Sequence, residues 1–284
     1  MKLELKKFEM SNLKNDSVVL FIGKRNTGKS VLVSDVMYHH KDLPVGVVIS
    51  PTERANQFFE NFVPGMLIYD EFSPEIVQKF IERQEKITKQ ANHEKKTYGK
   101  SNVIPNAFFI LDDCLYDKSW PTDKNIRCLF MNGRHYKVLF LITMQYPLGI
   151  PPHLRTNVDY VFILRENQVK NRERIYQQYA GMFPTFEIFS QVLDQCTENY
   201  EGMVIDNKVQ SNKLEDQVYW YKATIRNDFK VGSPELWRMQ ALQLERQVLG
   251  IAPPPEEEDE EDFNPRIAKG AKKNVPMIRV RKHQ

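Results

Sequence analysis

A chain of 284 residues, 41% hydrophobic and 11% aromatic, is long enough for one large α/β domain with additions. The formal net charge is only +3, so bulk charge announces no nucleic-acid partner. Cys114, Cys128 and Cys196 lie far apart with no C-x-x-C pair; they give no metal or disulfide signature and fit a reducing compartment. The longest apolar runs have strand length, well short of the roughly 20 residues a spanning helix needs. The opening MKLELKKFEM lacks the apolar centre of a signal peptide, so the reading is a soluble intracellular protein.

Residues 1–17 are polar with scattered apolar positions and read as an edge strand or arm. VVLFI (18–22) is a buried-strand run, and a glycine-containing loop and a helical pattern, SVLVSDVMYHH, follow it. VGVVIS (45–50) is a second apolar strand and MLIYDE (66–71) a third. Residues 73–96 predict a long charged helix with Ile76, Phe80, Ile81 and Ile87 on one face. AFFILDD (107–113) is a buried strand ending in acid. A helix over about 123–135 leads to VLFLITMQY (138–146), and YVFILRE (160–166) is one more strand. Apolar strands alternating with helices predict a mostly parallel sheet with helices on both faces.

After residue 167 the pattern turns helical, then GMVID and VYWYKA predict a hairpin, and residues 233–249 a last helix. The expected organisation is an arm (1–17), an α/β core (18–166), a C-terminal part of the same domain (167–250) and a tail (251–284). The tail is proline with an acidic block, APPPEEEDEEDFNP, then seven Lys or Arg with no Asp or Glu over 266–284. Such charge blocks are usually solvated and disordered.

The segment Gly23-Lys24-Arg25-Asn26-Thr27-Gly28-Lys29-Ser30 fits G-x-x-x-x-G-K-[ST], a phosphate-binding loop, with the required strand before and helix after. Backbone N–H groups of such a loop turn inward around phosphate oxygens, and the helix N-terminus adds partial positive charge. Lys29 would reach the β- and γ-phosphates of ATP, and the Ser30 hydroxyl would ligate Mg²⁺. AFFILDD supplies the acids: Asp112 for the metal shell, and Asp113, pointing the other way, to polarise the attacking water. Asp112 lies 83 residues after Lys29 with VGVVIS between them. A strand inserted between the phosphate strand and the acid strand is the RecA-like arrangement of motor ATPases. Gln145, at the end of VLFLITMQY, should face the γ-phosphate as a sensor.

LDD, then NGRHY (132–136), then ITMQYPLGIPPHLRTNVDYVFILRE (142–166) resemble the poxvirus-type genome-packaging ATPases of large double-stranded DNA viruses, within the FtsK–HerA superfamily. The resemblance covers about residues 16–170. It implies a homo-oligomeric ring, hexameric, that pumps double-stranded DNA without sequence preference into a capsid. The place of work would be the virus assembly site in the host cytoplasm, and the virion; a capsid or membrane-vertex protein would be the docking partner. Carried over by position, Lys29 and Ser30 bind nucleotide and Mg²⁺, Asp112 holds the metal, Asp113 is the base and Gln145 the sensor. Cellular relatives often carry Glu at the second acid; Asp113 is one methylene shorter.

Developing phosphoryl charge calls for an arginine finger from a neighbouring subunit. Arg134 and Arg155 lead, followed by Arg127 and Arg165. The basic residues of 79–100 (Lys79, Arg83, Lys86, Lys89, Lys95, Lys96, Lys100) read either as a solvated face or as a DNA-tracking one. The six histidines show no ligand spacing, and His39-His40 read as capping or surface residues at a helix end. Two other readings stand beside the translocase: a P-loop kinase of a small molecule, and a nucleotide-gated virion assembly protein.

Overall fold

In the strands that the apolar runs form, successive side chains point to opposite faces, and here both faces are covered. The computed structural model describes residues 3–114 and 119–249. Along the chain run β1 (Lys6–Lys7), β2 (Val18–Ile22), α1 (Lys29–His39), β3 (Gly46–Ile49), α2 (Glu53–Asn56), β4 (Ile68–Tyr69) and α3 (Pro74–Tyr98). Then come β5 (Ala107–Asp112), α4 (Lys124–Asn132), β6 (Val138–Met144), α5 (Pro152–Arg155), β7 (Tyr160–Ile163), α6 (Val169–Tyr179) and α7 (Phe186–Cys196). The C-terminal part adds β8 (Glu201–Asp206), α8 (Leu214–Gln217), β9 (Val218–Lys222) and α9 (Pro234–Val248).

Among the described residues the strands form one sheet in the order β1-β9-β8-β7-β2-β6-β5-β3-β4. From β7 to β4 they are parallel; β8 runs antiparallel to β7 and β9, and β1 closes the edge parallel to β9. Val18, Leu20 and Ile22 of β2 join the core under α3, α4, α6 and α7, whereas Val19 and Phe21 join the core under α1. β5 and β6 divide their side chains in the same way, which is why these runs are apolar throughout rather than alternating.

A strand does separate the phosphate strand β2 from the acid strand β5, but it is β6. VGVVIS, the strand between them in sequence, lies on the far side of β5 as β3. Parallel strands are joined by crossovers, so order along the chain does not fix neighbours in the sheet.

The chain divides into two units, 1–241 and 242–284. Of the second, only the last residues of α9 and Leu249 are described. The charged tail lies outside the described residues. His40 does cap α1, but it is buried rather than at the surface: its Nδ1 lies 2.5 Å from Asn15 Oδ1 and its Nε2 has no partner.

Candidate active site

The carboxyl ends of β2, β5 and β6 converge on one cleft, the position where open α/β sheets take their ligands. β2 hands over directly to the loop Gly23–Ser30, and α1 starts at Lys29. The backbone enters the left-handed region at Asn26 (φ 62°) and Gly28 (φ 97°). Alternation of this kind is what curls successive N–H groups toward an anion. Thr27 Oγ1 donates to the Lys24 carbonyl at 2.7 Å, bracing the loop from within. Lys29 Nζ donates to the carbonyls of Gly23 (2.5 Å) and Lys24 (2.8 Å). Burial pushes its pKa down, opposed by Asp113 and Asp112.

Asp112 is the last residue of β5. Its Oδ1 accepts from Thr143 Oγ1 at 2.7 Å and its Oδ2 from Ser50 Oγ at 2.9 Å. Burial raises its pKa, and the two hydroxyl donors oppose that rise. Asp113 does not point away as strand alternation predicts. Its φ is 51°, so the chain leaves the strand there, and both carboxylates line the same cavity. The Asp113 N–H donates to Thr143 Oγ1 at 2.9 Å, and its carboxylate accepts from Gln145 Nε2.

Lys24, Arg25, Asn26, Gly28, Lys29, Ser30, Asp112, Asp113 and Gln145 all line this cavity of about 770 Å³, and Gly23 and Thr27 complete the loop behind it. Sequence reasoning missed Ser50 and Thr143, which hold the acids; each is a hydroxyl at the end of an otherwise apolar strand run. It also missed Glu166, whose carboxylate pairs with Lys24 at 2.6 Å while accepting from the Gln168 N–H (2.8 Å) and Asn171 (3.1 Å). Burial pushes Glu166 up, but Lys24 and these donors hold it below the usual carboxylate value. Tyr200, Lys222, Ala223 and Ile225, from the β8–β9 side, also line the cavity and carried no motif.

The arginine candidates lie elsewhere. Arg134 pairs with the buried Asp159, whose other oxygen accepts from the Val18 N–H at 2.9 Å, at the amino ends of β2 and β7 and so opposite the cleft. The Arg155 guanidinium stands 5.7 Å from the centre of the Tyr179 ring. Arg127 donates to the Thr122 carbonyl (3.0 Å) and Arg165 to Asn167 (3.3 Å). Among the described residues no group of three or more His, Cys, Asp or Glu could hold a metal, and no helix is long and apolar enough to cross a membrane.

No protein-family model matches the chain. It is 41% identical over 235 residues to protein L437 of Acanthamoeba polyphaga mimivirus, covering 82% of both chains. It is 38% identical over 230 residues to protein 075L of Invertebrate iridescent virus 6, covering 79% of this chain and 84% of that one. Among solved structures, the genome packaging NTPase B204 from Sulfolobus turreted icosahedral virus 2, in complex with AMPPCP, superposes with a TM-score of 0.51 at 14% identity. The match covers 75% of this chain and all of B204. EssC ATPases 2 and 3 from Geobacillus thermodenitrificans give a TM-score of 0.50 at 13% identity over 84% of this chain and 46% of theirs. With the loop, the paired acids and the inserted strand in place, the chain belongs to the family of large-DNA-virus proteins that includes L437 and 075L, and its fold is that of a RecA-like P-loop ATPase.

Proposed function

We propose that this protein is an ATPase that drives double-stranded DNA into a viral capsid, working as a homo-oligomeric, hexameric ring. The observation that carries the reading is the Asp113–Gln145 pair. An acid and an amide stand side by side at the ends of adjacent strands, in the same cavity as the phosphate-loop lysine. That is the equipment for positioning and deprotonating a nucleophile, which in an ATPase is water. Kinship with proteins of large DNA viruses and a fold shared with a genome packaging NTPase supply the context.

The chemistry follows from the residues. On ATP arrival Lys29 exchanges its two loop carbonyls for phosphate oxygens, which are stronger partners because they are charged. Asp113 accepts the proton of the attacking water, and the Gln145 amide, freed from that carboxylate, holds the water or the γ-phosphate in line. The hydroxyl of Ser30 and the carboxylate of Asp112 are hard oxygen donors suited to Mg²⁺. They would hold that ion, which when bound neutralises phosphate charge. Thr143 and Ser50 keep Asp112 aimed. The arginine that stabilises the transition state comes from a neighbouring subunit. The site of action is the virus assembly site in the host cytoplasm, with docking on a capsid or vertex protein.

The test is steady-state phosphate release by the purified chain, with and without duplex DNA of unrelated sequences. Hydrolysis that rises with DNA irrespective of its sequence is expected. Turnover indifferent to DNA, or stoichiometric phosphorylation of a nucleoside, turns the reading down.

A further inference from the structure

Tyr200 stands where its backbone is least comfortable. The Glu201 N–H donates to the Glu198 carbonyl at 2.9 Å, closing a four-residue turn whose central residues, Asn199 and Tyr200, have φ of 50° and 62°. Two positive φ values are the mark of a type I′ turn, which asks for Asn first and Gly second. Here Asn is first, but a bulky aromatic takes the glycine position. Its ring does not compensate by packing, since Tyr200 is 76% exposed. A strained, exposed aromatic at the rim of a cleft is the kind of outlier that points to function.

The ring overhangs the phosphate loop: a methyl placed on Gly28 would meet it at 3.9 Å. Glu201 and Lys222 are register partners of β8 and β9, so Tyr200 and Ala223 flank the same end of the hairpin. Asp35, fully buried in α1, fixes the segment after β9 by accepting from the Thr224 N–H (2.9 Å), Tyr221 Oη (2.6 Å) and Arg226 Nε (2.7 Å). That holds Ala223 and Ile225 against the cavity. The sheet order puts this hairpin on one flank of β2 and the hydrolytic pair Asp113–Gln145 on the other. A triphosphate with its γ end at Asp113 therefore sends its nucleoside toward Tyr200.

We propose that Tyr200, with Ala223 and Ile225, forms the wall on which the nucleobase stacks, a subsite for the aromatic face of a purine. This rests on reading the cleft as a nucleotide site. Stacking reads π surface rather than base edges, so ATP and GTP are taken alike and CTP less well.

Titration calorimetry of the full chain with ATP, GTP, CTP and inorganic triphosphate tests it, using Tyr200→Gly, Tyr200→Phe and Lys29→Ala. Tyr200→Gly should weaken ATP and GTP by about tenfold and leave inorganic triphosphate unchanged. Its melting temperature should hold or rise, because glycine relieves the turn. Tyr200→Phe should bind ATP like the wild type. Equal losses for ATP and triphosphate, no loss for either, or a melting temperature that falls with ATP affinity would each overturn the assignment. If the wild type binds ATP, Lys29→Ala does not and Tyr200→Gly binds normally, the base wall alone is wrong. If the wild type binds neither ATP nor triphosphate, the cleft reading falls and the base wall with it.

Discussion

Asp112 and Asp113 are neighbours in sequence with different tasks, because one ends the strand and the other leaves it. Asp113→Asn should keep ATP affinity while turnover falls by about 10²–10⁴, since an amide cannot take a proton from water. Asp112→Asn should instead raise the Mg²⁺ concentration needed for half-maximal rate; identical Mg²⁺ titrations for the two variants would refute the division. His40 gives a residue-scale prediction about stability. Burial, then the charge of His39, pushes its pKa down to about 4 from the ordinary 6.5. Between those values the unfolded chain binds the proton and the folded chain does not, so stability is whole above pH 6.5 and is lost as pH falls toward 4. The loss is of order 3 kcal/mol at most, from about 1.4 kcal/mol per unit. Melting curves from pH 7 to 4 should show it, and His40→Gln should flatten the dependence over that window.

At the scale of elements, β3 approaches β5 closely because residue 46 has no side chain. A methyl there would sit 2.3 Å from the Phe108 ring. Gly46→Ala should therefore cost about 1–3 kcal/mol of stability in urea unfolding, the usual penalty of overpacking a filled core. The strands β2, β5 and β6 were plain in the sequence, since burial on both faces writes itself as VVLFI, AFFIL and VLFLI. α3 was equally plain: Ser73 accepts from the Glu75 N–H at its start and Gly99 ends it in the left-handed region. The lateral order of the strands was not readable, because a parallel crossover can skip any number of neighbours. Nor were Ser50, Thr143 and Glu166, whose partners lie 62, 31 and 142 positions away along the chain. The phosphate loop was legible because its chemistry is local; the shell supporting it is tertiary.

For the whole molecule the open question is the ring, and arginine complementation addresses it. A finger acts on a neighbour's nucleotide, so its place within its own chain says little about its target. The commitments of the two leading arginines do differ, Arg134 to the buried Asp159 and Arg155 to the face of Tyr179. Either substitution to Ala, if it removes the finger, should keep ATP affinity and lower turnover by about 10³ or more. Rings of Lys29→Ala subunits should be inactive as well. Mixing the two kinds should restore part of the activity, because some interfaces join an intact pocket to an intact finger. Recovery with one arginine variant names the finger. No recovery in mixed rings confirmed by mass would exclude both and turn attention to Arg127 and Arg165.

Glu166 joins two parts of the molecule, the phosphate loop and the start of α6. One carboxylate holds Lys24 of the phosphate loop and, through the Gln168 N–H and Asn171, the first turn of α6. Arg172 of α6 then grips Asp194 of α7 and the Glu166 carbonyl. A loop reshaped by its ligand therefore shifts the free energy of the helix pair, and by linkage the reverse holds with equal magnitude. Mechanical load on α6 and α7 would be transmitted to the phosphates as a change in affinity. On the proposed translocase reading, such a strut would act as a tension gauge, setting how readily spent nucleotide leaves according to how hard the cargo resists.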